Sequence, residues 1–254
     1  MTTIGFDADD TLWHNERFFR ITQDRFAELL MDHVPRGVDS QALGARLLAA
    51  EKQNLGRYGY GVKGFTLSMI ETAIEVTDAR VPASVIQELI VAGQMMLSYP
   101  IELLPNAQSA VEALADSHRV VLVTKGDLLD QERKLAQSGL GDLFDGVEIV
   151  SEKTPQIYAE IFARHGDGPE HAMMVGNSMR SDVVPIIEAG GWGTYVPHGL
   201  VWEVEYAPAP VHSSRYTEIA DLSALPALVA RISWSAPGIT QRLAQWIRPC
   251  LTPK

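Results

Sequence analysis

Three carboxylates and a hydroxyl crowd the end of the first apolar segment, where Thr2–Phe6 runs into Asp7-Ala8-Asp9-Asp10-Thr11. Acids this close repel one another, and a hard divalent cation held through oxygen ligands, magnesium above all, is the usual compensation. The same residues also read as a solvated acidic turn or as a helix start capped around Asp10 and Thr11, so the cluster alone names no reaction. Three more polar groups share its setting. Thr124-Lys125-Gly126-Asp127 follows Arg119–Val123 and offers a hydroxyl, a cation and successive backbone amides suited to phosphate oxygens. Lys153 follows Val147–Val150 and stands just before Pro155, a residue suited to opening a helix. Gly176-Asn177-Ser178-Met179-Arg180-Ser181-Asp182 follows Ala172–Val175; there Asn177 or Asp182 supplies an oxygen ligand, or Ser181 or Asp182 caps the next helix.

A carboxylate nucleophile, a cation site, a hydroxyl and a lysine are what transfer of a dianionic phosphoryl group requires, provided the fold brings them together. Strand-length runs at Thr2–Phe6, Arg119–Val123, Val147–Val150, Ala172–Val175 and Trp192–Val196 alternate, over the last four, with helical patterns at Gln131–Ser138, Pro155–His165 and Asp182–Ala189. That alternation predicts an α/β fold, a doubly wound parallel sheet with helices on both faces. Ligands in such sheets bind outside the carboxyl ends of the strands, which is where all four clusters fall.

Between the first two strands, residues 15–105 carry helical spacing instead: Phe18, Phe19, Phe26, Leu29 and Leu30, then Leu43, Leu47 and Leu48, then Val85, Leu89, Ile90, Met95 and Met96. Breaks at Pro35–Gly37 and Thr77–Pro82, with a return at Leu104–Pro105, predict a smaller inserted helical domain. The expected division is therefore a core of 1–14 and 106–233, a helical cap of 15–105, and a tail of 234–254 with a helix at Thr240–Ile247; Ile239, Leu243, Trp246 and Ile247 share one helical face, which reads as docked on the core, or else as a membrane-surface helix or a dimer contact. Asn54–Gly64 reads as a glycine-rich interhelical turn, or as a substrate loop using Arg57, Tyr58, Tyr60 and Lys63. Trp13 reads as packing, and His14, Glu16 and Arg20 as surface or hinge residues.

Composition narrows the classes. The 254 residues are 46% hydrophobic and 21% charged, an ordinary globular balance that excludes intrinsic disorder. With 21 Lys and Arg against 32 Asp and Glu, the net charge of −11 disfavours a nucleic-acid backbone or an anionic membrane as partner. The lone Cys250 permits no intramolecular disulfide, and no run reaches the roughly 18 apolar residues of a membrane span. A cytoplasmic protein is the expectation. Oligomeric state is left open.

In their order and character the four clusters resemble the haloacid-dehalogenase-like hydrolase superfamily over about residues 2–196, with its Asp-x-Asp-x-Thr strand end, its Thr or Ser strand end, its lysine and its acidic loop. The resemblance implies that Asp7 is the nucleophile that forms an aspartyl-phosphate and Asp9 the general acid/base. It implies that Thr124 binds phosphate, with Lys125 and Gly126 beside it, and that Lys153 neutralises nucleophile and phosphate. It implies a Mg2+ site made by Asp7, the backbone carbonyl of Asp9 and the loop holding Asn177 and Asp182. One departure is Asn177, which stands where the family usually has an acid; an amide oxygen binds magnesium without adding charge, leaving Asp182 as a second ligand or an orienting acid and metal affinity weaker.

Asp9 favours a phosphatase, because dehalogenase members lack an acid there. The insertion is similar to the family's helical cap, which implies a small soluble phosphomonoester as substrate. A phosphomutase and a 2-haloacid dehalogenase-type hydrolase are the alternatives on the same fold, and a non-catalytic phospho-ligand-binding protein is the alternative of another class. A receiver-type phospho-switch also combines acids, a hydroxyl and a lysine, but its phosphorylated acid ends the third strand, whereas Asp7 ends the first.

Overall fold

The structure is a computed structural model that describes residues 1–234. Strand β1 (Thr3–Phe6) is followed by helices α1 (Glu16–Leu30), α2 (Ser40–Tyr58), α3 (Val62–Val76) and α4 (Ala83–Met96), then α5 (Ala107–Ala115). The chain continues through β2 (Arg119–Lys125), α6 (Leu128–Ser138), β3 (Gly146–Val150), α7 (Pro155–His165), β4 (Ala172–Gly176), α8 (Val184–Glu188), β5 (Trp192–Tyr195), β6 (Tyr216–Glu218) and α9 (Leu225–Trp234). The expected helix at Thr240–Ile247 lies outside the described residues. Among the described residues no helix is long and apolar enough to cross a membrane.

Among the described residues six strands form one sheet in the order β3-β2-β1-β4-β5-β6, and every pair is parallel. Strand order reverses at β1, the topological switch point of a doubly wound sheet. Two-residue alternation builds the layers. Ile4, Phe6, Val120, Leu122, Met173 and Val175 face one core, shared with α5 and α9. Val121, Val123, Ala172 and Met174 face the other, against Tyr158, Ile161 and Phe162 of α7 and Ile186 of α8. Each fully buried large side chain contributes roughly 1.5–3 kcal/mol of transfer free energy. Phe6 pairs with Leu122 and with Val175, so β1, β2 and β4 run abreast. The Asp7 amide then donates to the Val175 carbonyl at 2.9 Å, which carries the ladder to the base of the acidic loop.

Helices α1 to α4 bury a separate core of Phe26, Leu30, Leu43, Leu47, Phe65, Met69 and Leu89. They stand over the carboxyl ends of the strands. Lys63 at the start of α3 reaches both oxygens of Asp127 at 2.9 Å, the Tyr60 hydroxyl donates to Glu152 at 2.9 Å, and Lys52 pairs with Glu203 at 2.7 Å. The glycine-rich stretch is shorter than expected. Arg57 and Tyr58 belong to the last turn of α2 and Lys63 to the first of α3, leaving Gly59–Gly61 as the turn.

Candidate active site

The ends of β1, β2, β3 and β4 open on a cleft with roughly 1070 Å³ of free space, its mouth included, and all eight residues expected at the site line it. That is room for a small molecule. Lys153 is at its base. Its ammonium donates to Oδ1 of Asp7 and to Oδ1 of Asp182, each at 2.6 Å, and its side chain is 1% exposed. Local sequence fixes its place: Thr154 accepts from the Ile157 amide and Pro155 opens α7, so the chain must turn directly after Lys153. Burial alone lowers the ammonium's pKa, but the charges of Asp182 and Asp7 outweigh it and hold Lys153 above its ordinary value. Burial, and then the charge of Asp182, push the Asp7 carboxyl up to about 7 against the pull of Lys153. Burial raises Asp182 as well, although the same lysine opposes the rise.

Asp182 is held from both sides. Its Oδ2 accepts from the Ser178 amide at 2.9 Å while Oδ1 meets Lys153. The helix-cap role open to Ser181 or Asp182 goes instead to Ser178, whose hydroxyl accepts from the Ser181 amide at 2.9 Å and starts the π-helical turn Met179–Val183. Gly176 makes this possible, since a Cβ there would lie 2.2 Å from Asp182 Oδ2.

Asn177 faces the acidic loop. One atom of its terminal amide lies 3.2 Å from Thr11 Oγ1, 3.3 Å from Asp7 Oδ2 and 3.2 Å from the Asp9 carbonyl oxygen. With nitrogen inward the amide donates to these oxygens; with oxygen inward it joins them as a donor for a hard cation. Thr11 ties the loop together, donating to Asp7 Oδ2 at 2.9 Å and accepting from the Asn177 amide N–H at 3.1 Å.

Asp9 has a different set of partners. Its Oδ1 accepts from Trp13 Nε1 at 2.7 Å, Lys134 approaches its two oxygens at 3.0 and 3.1 Å, and Gln131 reaches Oδ2 at 3.2 Å. Trp13 is thus both core packing and an anchor for this carboxylate. Asp10 realises the helix-start reading: its two oxygens accept from the amides of Asn15 and Glu16 at 2.8 Å, tying down the start of α1. His14 and His198 bring ring nitrogens within 4.8 Å of it, but none of the three lines the cleft.

Thr124, at the end of β2, accepts from Gln131 Nε2 at 2.6 Å, and the positive φ of Gly126 lets the chain bend into the Asp127-capped α6. Lys125 is largely engaged. Its ammonium lies 2.7 Å from Glu205 Oε1, 2.8 Å from Ser181 Oγ and 3.8 Å from the centre of the Tyr60 ring. Gln131, Lys134 and Glu205 are the site residues that motif reasoning passes over. The first two share a face of α6 at i, i+3 spacing directly behind the Thr124 turn, a usable signal. Glu205 ends a three-residue 3-10 turn, Glu203–Glu205, after β5, too short for any periodicity to point to it.

The family model of haloacid dehalogenase-like hydrolases matches residues 1–190. A haloacid dehalogenase-like family hydrolase from Xanthomonas campestris has 42% sequence identity and a TM-score of 0.81, the match covering 93% of each chain. The L-2-haloacid dehalogenase of Xanthobacter autotrophicus, at 17% identity and a TM-score of 0.60, shares the fold over 91% of this chain and 98% of its own. A glyceraldehyde 3-phosphate phosphatase from Methanothermobacter thermautotrophicus is 25% identical over 202 residues, 75% of this chain and 83% of that protein.

Proposed function

Because the chain belongs to the haloacid dehalogenase-like hydrolases, we propose that it is a magnesium-dependent phosphatase acting on a small phosphomonoester through an aspartyl-phosphate at Asp7. The observation that carries the reading is the contrast between two carboxylates two residues apart. Asp7 sits between Lys153 and Thr11, and Asp9 sits under Trp13, Gln131 and Lys134. Carboxylates held in separate environments can take separate roles, one as nucleophile and one as acid and base. Similarity to a curated phosphatase supports the same choice, and Asp9 argues against the dehalogenase alternative.

In this reading Asp7 attacks phosphorus while Asp9 gives a proton to the departing ester oxygen, leaving an alcohol and an acyl phosphate. Asp9, now a base, takes a proton from water as the water oxygen attacks phosphorus. Inorganic phosphate leaves and the Asp7 carboxylate is restored. Lys153 holds Asp7 in place and offsets phosphoryl charge; Thr124 and the amides at Lys125 and Gly126 receive phosphoryl oxygens. Asp182 serves as the orienting acid, both its oxygens being taken by Lys153 and Ser178.

Magnesium suits the donor set. Asp7, the Asp9 carbonyl and the Asn177 amide converge, and Asp7 with Asp182 outnumber the single ammonium of Lys153. When bound by these groups, magnesium offsets the repulsion between a carboxylate and a phosphate dianion. Helices α1 to α4 act as a cap that keeps bulk water from the cleft. The test is phosphate release from a panel of small phosphomonoesters, with and without magnesium, by the native enzyme and Asp7→Asn. Release that needs both magnesium and Asp7 supports the reading; release that survives Asp7→Asn overturns it.

A further inference from the structure

The far wall of the cleft has a charge that the phosphatase chemistry leaves unused. Glu51 on α2 lines the cleft, is 7% exposed, and its Oε2 is buried without a hydrogen-bond partner. Glu16, on α1, lines the same wall and is equally buried, with its carboxylate on Arg20 at 2.9 Å. Burial, and then the charge of Glu16, drive the Glu51 carboxyl up to about 7, with Arg20 opposing. An unpaired buried carboxylate is costly, and a bound cation is one of the partners that offsets that cost.

The cleft is also polar end to end. Its lining lysines are Lys125, Lys134 and Lys153, from β2, α6 and the loop after β3; no lysine or arginine lines it from α1, α2 or α3. The lining cations are therefore confined to the phosphate end, where acids accompany them, while the charged groups lining the cap end, Glu16 and Glu51, are acids alone. Phe19, Phe65 and Trp202 line the space as well, and aromatic faces tolerate an organic cation.

We propose that Glu51, supported by Glu16, forms an ammonium-binding subsite, so that the substrate is a zwitterionic phosphomonoester carrying a primary amine at the end opposite its phosphate. This identification of the class rests on the phosphatase reading for the phosphate end alone. Glu51 accepts hydrogen bonds from the ammonium, whose charge answers the carboxylate that the protein leaves unmatched.

The test uses ω-aminoalkylphosphonates of about two to five carbons, which cannot be hydrolysed, against alkylphosphonates of equal length. Binding is measured by calorimetry on the native enzyme and Glu51→Gln in magnesium. The native enzyme should bind at least one amino compound about tenfold or more tightly than its alkyl partner, and Glu51→Gln should erase that ratio. A thermal midpoint no lower than the native one establishes that the variant is folded. Equal affinity for both series, or a preference that survives Glu51→Gln, overturns the proposal. Phosphate release from the corresponding esters separates the two readings. An amine preference in binding without release from any ester upholds the subsite and overturns the phosphatase; release without an amine preference does the reverse.

Discussion

Replacing Lys153 by Met should destabilise the protein by an amount that grows with pH. The side chain is buried between Asp7 and Asp182 at 2.6 Å from each, so its loss leaves two buried carboxylates facing one another. Removing one partner from a buried ion pair costs roughly 3–5 kcal/mol when the other is charged. The sign follows from Asp7, whose pKa rises from 3.8 to about 7 on folding. Between those values the folded protein keeps a proton that the unfolded chain has lost, so stability falls as pH rises, by about 4 kcal/mol over the whole interval. Without Lys153 both carboxyls are raised further, and the variant continues to lose stability above pH 7. Below about pH 3 both carboxyls are protonated in the folded and the unfolded chain alike, and the native ammonium is then the unpaired buried charge. The two proteins should converge there, or the variant should become the more stable. Urea unfolding from about pH 3 to pH 8.5 in chelator, with midpoint and slope measured at each pH, reads this directly. A difference that stays constant across that range would refute the electrostatic account of the Lys153 bridge.

Other substitutions probe the remaining supports. Gly176→Ala places a Cβ 2.2 Å from Asp182 Oδ2; a loss of about 1–3 kcal/mol in urea is expected, with phosphate release falling because Asp182 is pushed from Lys153. Lys134→Met removes a cation that contacts both oxygens of Asp9, and should lower kcat by roughly 10- to 100-fold with KM changing less, as measured on one ester at saturating magnesium. Asn177→Asp adds a carboxylate beside Asp7, so half-saturation should move to lower magnesium while thermal stability in chelator drops; a magnesium titration and a melting curve check both.

What could be read from the chain divides along physical lines. Strands β1 to β5 are written as apolar runs, and Pro155–His165 is announced at its start by Thr154-Pro155 and realised as α7. The four polar clusters were legible because a parallel sheet puts every strand's carboxyl end on one edge. Short or weakly apolar elements were not. β6 has three residues, none of them fully buried, and α5 packs through Ala107, Ala110, Val111 and Leu114, whose alanines give little hydrophobic contrast. Trp202 and Glu205 begin and end a single 3-10 turn, too short to carry a period. Glu51 is the instructive case. Leu43, Leu47, Glu51 and Asn54 are the buried residues of α2, so helical spacing alone puts a carboxylate on the inward face. Motif reasoning passes it over, because nothing in a one-dimensional pattern says that the inward face ends over a cleft.

The central claim is that Asp7 carries the phosphoryl group and Asp9 then activates water. Asp9→Asn mixed with p-nitrophenyl phosphate and magnesium separates the steps, since p-nitrophenolate leaves without an acid but the acyl phosphate still needs a base. A burst of about one p-nitrophenolate per enzyme followed by a stall is expected. Borohydride treatment of the stalled enzyme should convert Asp7 to homoserine, seen by peptide mass spectrometry. Steady release with no burst, or a reduced residue other than Asp7, would contradict the account.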